Sequence, residues 1–76
     1  MQLAKLRFHD SADETNGLFE LARRFRVITI LERDTLESEP FPAYYVPLKA
    51  LELLDSLKIP YELMERCSLD CALEAL

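Results

Sequence analysis

Apolar and polar residues alternate from Leu3 to His9, with Ala4, Leu6 and Phe8 on one side and Lys5, Arg7 and His9 on the other. A period of two predicts a strand with one buried face. The period then changes. Leu18, Leu21, Ala22 and Phe25 recur at i, i+3, i+4 and i+7, which predicts a helix with one core-facing stripe. Ser11-Ala-Asp-Glu14 has the form of a capping box, so Ser11 is the expected N-cap. Asp13 and Glu14 suit the start of this helix, and Arg23 and Arg24 suit its end, through the helix dipole. Gly17 interrupts it at a cost of about 1 kcal/mol against Ala.

Val27 to Leu31 is β-branched and apolar on both faces, and predicts a second strand. Glu32 to Pro42 is polar, acidic and carries two prolines, which predicts a loop or a poorly paired extension of the strand. Ala43 to Val46 is a short strand candidate, and Pro47 fits the first position of a following helix. That helix carries Leu48, Leu51 and Leu54 on one stripe and stops before Pro60. Tyr61 to Glu65 alternates again as a last strand. Ser68 then caps a short helix that places Leu69, Ala72, Leu73 and Leu76 together.

If Ala43–Val46 pairs, the order is the βαββαβ plan of a ferredoxin-like α+β sandwich with a short additional C-terminal helix. If it does not, a three-stranded α/β sandwich is the fallback. No linker, repeat or low-complexity tract interrupts residues 1–76, so one domain is expected. The common strand order of this plan, 4-1-3-2, leaves the second strand at an edge.

Composition narrows the function. Half of the 76 residues are apolar and 30% are charged, which fits a folded chain and not a disordered one. No apolar run reaches the ~18–20 residues of a membrane span, and MQLAKLRFHD does not read as a signal peptide. The net charge is −5. Residues 1–33 hold six basic and five acidic side chains, and residues 34–76 hold three and nine. An acidic chain repels phosphate backbones, so nucleic acid is not an expected partner. Two cysteines without a leader suggest reduced thiols and a cytoplasmic protein.

Candidate chemistry is sparse. Cys67 and Cys71 stand four apart, which suits one helix face but not the Cys-x-x-Cys redox spacing. A structural zinc site wants four ligands, and the one histidine is His9. Two small buried hydrophobes is the simpler reading of the cysteines, with no metal and no cofactor expected. His9-Asp10 falls at the end of the first strand, where α/β sites often lie, yet no nucleophile accompanies it. A single glycine excludes a phosphate-cradling loop. No catalytic set emerges, so the expectation is a non-enzymatic protein-interaction or regulatory module. The alternative is a small-molecule or metal-responsive module using His9, Asp10 and the Cys67/Cys71 pair.

Self-association is also expected. Val27 and Leu31 stand on a predicted edge strand without proline or inward charge. Phe41, Tyr44 and Tyr45 follow close by, and adjacent tyrosines in a strand point to opposite faces, so one should leave the core. These five residues, Val27, Leu31, Phe41, Tyr44 and Tyr45, are the candidate contact positions of a homodimer or of a protein partner.

Overall fold

The computed structural model describes residues 2–33 and 35–74, apart from the side chains of Cys71 and Ala72. Its elements run β1 (Gln2–Arg7), α1 (Ser11–Arg24), β2 (Ile28–Glu32), β3 (Phe41–Pro47), α2 (Lys49–Ser56), β4 (Glu62–Ser68) and α3 (Leu69–Glu74). The four strands form one antiparallel sheet in the order β2-β3-β1-β4. This is the ferredoxin-like α+β arrangement. Ala43–Val46 pairs on both sides, with β1 and with β2, so the three-stranded fallback is set aside.

The pleat divides the core in two. On the helix side, Ala4 and Leu6 of β1 and Tyr44 and Val46 of β3 meet Leu21 of α1 and Ala50, Leu51 and Leu54 of α2. Phe8, Leu18, Phe25 and Val27 close its rim. On the other side, Leu3, Tyr45 and Cys67 form a smaller cluster against Ile28, Ile30 and Leu69. The two tyrosines do face opposite ways, yet both are only 2% exposed. The expectation that one of them leaves the core is corrected: α3 brings Leu69 over the second face, and Tyr45 is buried beneath it.

Several boundaries move, each for a local reason. Helix α1 is capped by Asp10 and not by Ser11, because the Asp13 N–H donates to Asp10 Oδ1 at 2.8 Å and Ser11 is already helical. Asp10 is also extended in backbone, as an N-cap should be. Pro47 ends β3 opposite Leu3 instead of opening α2, which begins at Lys49 after Leu48. Strand β2 runs one residue later than expected and takes Glu32 out of the loop, while β3 takes in Phe41 and Pro42. Strand β4 continues to Ser68, with a bulge opposite Lys5 and Leu6 that shifts its register. A bulge lengthens one strand by a residue and hides its true period.

Gly17 has a packing reason. A Cβ there would lie 2.4 Å from Cε1 of Phe8, whose ring sits against the α1 backbone. The same ring tilts on Tyr44 with centroids 5.8 Å apart, so it is held between the helix and the sheet.

Candidate functional site

The described surface holds two places that merit weighing, a cleft at the strand ends and the free edge of β2. The cleft encloses about 280 Å³ and is lined by Arg7, Phe8, His9, Glu14, Phe41, Pro42 and Glu62. It therefore does gather His9 near other ionisable groups. Its charges, however, already answer one another. Arg7 Nε donates to Glu62 Oε2 at 2.6 Å, and the guanidinium lies over the Phe41 ring at 4.5 Å. Glu14 faces inward to Tyr44, whose phenol is pushed up to about 12 by burial and then by the Glu14 carboxylate. The cleft has neither a serine nor a cysteine in its lining, and its cation is engaged.

Of the candidate metal ligands, His9 and Cys67 do not meet. Cys67 lies opposite Leu3 at one end of β1, while His9 follows the other end. At about 3.3 Å per residue, six residues of strand separate their levels by roughly 20 Å. Among the described residues no three His, Cys, Asp or Glu side chains come together. The Cys71 side chain lies outside the described residues.

The most buried charge among the described residues carries no signal in the sequence pattern beyond its place on the polar face of β1. Lys5 stands in the middle of the sheet at 7% exposure, on the α3 side of β1. Its Nζ donates to Glu32 Oε1 at 2.5 Å, has Glu65 Oε1 at 3.9 Å, and sits 5.9 Å from the Tyr45 ring centre. Burial alone would lower the Lys5 pKa; the Glu32 hydrogen bond and charge outweigh it, and the pKa is raised. Glu32 leaves the solvated acidic loop expected for it, and its carboxylate reaches across β3 to β1. This pair closes the second face of the sheet with charge rather than carbon.

That leaves the sheet edges, and they differ. Strand β4 carries Glu62, Glu65 and Arg66 and a bulge, all of which discourage pairing with another strand. Strand β2 carries Ile28, Thr29, Ile30 and Leu31 without charge, proline or bulge until Glu32. Leu31 is 75% exposed, and Leu36 in the adjoining loop is 92% exposed. Of the five expected contact residues, Tyr44 and Tyr45 are buried, Val27 and Phe41 are half-buried, and Leu31 is open. On the α3 side, the same edge borders a mostly apolar groove of about 290 Å³ lined by Leu3, Arg26, Ile28, Tyr45, Pro47, Leu69 and Leu73.

No helix among the described residues is long and apolar enough to cross a membrane. Comparison of the chain with protein-family models, with curated proteins and with solved structures found no match.

Proposed function

We propose that this chain is a non-enzymatic protein-interaction module of the cytoplasm that acts through self-association at β2. One observation carries the reading: β2 is an edge strand with an unblunted apolar run, while the opposite edge, β4, is blunted by charge and a bulge. Backbone N–H and C=O groups on a sheet edge form a template for a further strand, and proteins seldom leave such an edge bare. Leu31 and Leu36 add exposed apolar surface beside it. A second copy supplies matching surface without any other partner, and two-fold pairing is the commonest form of such assemblies.

The cleft at the strand ends supports this reading by default. Its one arginine is bound to Glu62 and stacked on Phe41, which leaves no cation aimed at a ligand.

Sedimentation equilibrium across the micromolar range tests the proposal. Twice the 8.8 kDa chain mass is expected for the wild type. Leu31→Lys should return the mass to a single chain while the circular dichroism spectrum stays unchanged, because Leu31 is exposed and contributes little to the core. A single-chain mass for the wild type at every concentration contradicts the proposal.

A further inference from the structure

Resting on that self-association, we infer that two copies join antiparallel along β2 in one register, with Thr29 facing Thr29 across the two-fold axis. The choice of register follows from the pleat. Directly opposed residues in an antiparallel pair share a face of the sheet. Ile28 and Ile30 lie on the α3 side with Tyr45, and Val27 packs on the helix side. Arg26 lines the same groove as Ile28 and Tyr45, so the alternation of faces continues back through Arg26. A two-fold pairing must therefore centre on a residue, and few centres are open.

Centring on Thr29 sets Ile28 against Ile30, Val27 against Leu31 and Arg26 against Glu32, each pair occurring twice. Around the central pair of threonines, apolar meets apolar and plus meets minus. Centring on Ile30 sets Ile28 against Glu32. Centring on Ile28 sets Arg26 against Ile30. Centring on Leu31 sets Ile30 against Glu32. Each of those three places a charge on an isoleucine.

The charges are available for the pairing. Arg26 is exposed, and among the described residues it makes no ion pair. Glu32 gives Oε1 to Lys5, which leaves its second oxygen for an arginine from outside. In this register, Ile30 of the second copy stands beside Ile28 at the mouth of the apolar groove, and Leu31 finds Val27. The most exposed apolar side chain of β2 is thereby covered.

Disulfide trapping reads the register directly. Opposed residues in an antiparallel pair have Cα atoms about 4.5–5.5 Å apart, within the roughly 4.4–6.8 Å that a disulfide spans. The exposed Thr29 can be replaced without touching the core. Thr29→Cys should give a dimer linked through the two introduced thiols under oxidised glutathione, the bond located by peptide mass mapping. Thr35→Cys, also exposed and in the β2–β3 loop, is the collision control and should link much more slowly. Arg26→Glu replaces two attractive pairs by two repulsive ones and should weaken association about tenfold, recovering in part at high salt. If the wild type self-associates but Thr29→Cys links no faster than Thr35→Cys, or if Arg26→Glu associates as the wild type does, the register is wrong while self-association stands. A wild type that remains a single chain throughout removes both.

Discussion

Asp10 accepts from the Asp13 N–H at 2.8 Å and supplies the carbonyl for Glu14, so it carries the first turn of α1. Asp10→Ala should cost about 1 kcal/mol, and Ser11→Ala, at an exposed helical position, should stay within about 0.5 kcal/mol. Urea midpoints of the two variants check the difference. The capping-box spacing from Ser11 misplaces the cap by one residue because Asp10 and Ser11 are both good caps, and sequence spacing alone does not rank neighbours. Lys5 and Glu32 make an asymmetric pair, the lysine buried and the glutamate 32% exposed. Glu32→Gln leaves a desolvated ammonium with Glu65 at 3.9 Å, and should cost about 1–3 kcal/mol. Lys5→Met keeps the stem volume and leaves a carboxylate that water can reach, so it should cost less than about 1.5 kcal/mol. The pKa of Lys5, of Tyr44 and of Tyr61 is raised in the fold, so each holds its proton longer than in the unfolded chain. The contribution of Tyr44 is therefore complete below about pH 10 and is lost as pH rises towards about 12, and those of Lys5 and Tyr61 are lost in the same direction as pH rises. Denaturant midpoints should fall between pH 8 and a pH above 10, and fall less in Tyr44→Phe.

At the scale of elements, the close of α2 and the middle of α1 each hold a residue at odds with local preference. Lys58 has φ of 58°, left-handed, and follows the C-cap residue Leu57. The Ile59 N–H returns to the Leu54 carbonyl at 3.0 Å and the Lys58 N–H to Asp55 at 3.2 Å, the two bonds of a Schellman ending. Lys58→Gly removes the strain and should raise stability by about 0.5–1 kcal/mol, read from the melting curve. Gly17 behaves in the opposite way. Alanine there would gain about 1 kcal/mol of helix propensity, but its Cβ would press into the Phe8 ring at a cost of about 1–3 kcal/mol. Gly17→Ala should therefore not stabilise, and pairing it with Phe8→Leu should recover part of the loss. The strands and helices themselves are legible wherever one period holds for several residues, as from Leu3 to Phe8 or Leu18 to Phe25. What is not legible depends on pairing. The β4 bulge exists only relative to β1, and Glu32 reads as loop until β3 is placed between it and Lys5. The burial of Tyr45 likewise needs α3, whose six residues are too few to reveal where they dock.

For the whole molecule, the telling contrast is between the two outer strands of one sheet. One is dressed with Glu62, Glu65, Arg66 and a bulge, and the other presents Ile28 to Leu31. Self-association is legible as an expectation because the run from Val27 to Leu31 carries no charge. The contact surface proposed above is not, since the expected tyrosines lie inside and the proposed pairing of Arg26 with Glu32 emerges only when two copies are laid together. Amide hydrogen exchange of β2 as a function of protein concentration tests the central claim most directly. Protection of the amides between Ile28 and Glu32 should rise as the concentration increases, while the outer amides of β4 exchange at one rate throughout. Exchange in β2 that is equally fast at all concentrations, or added protection that falls on β4 instead, would contradict it.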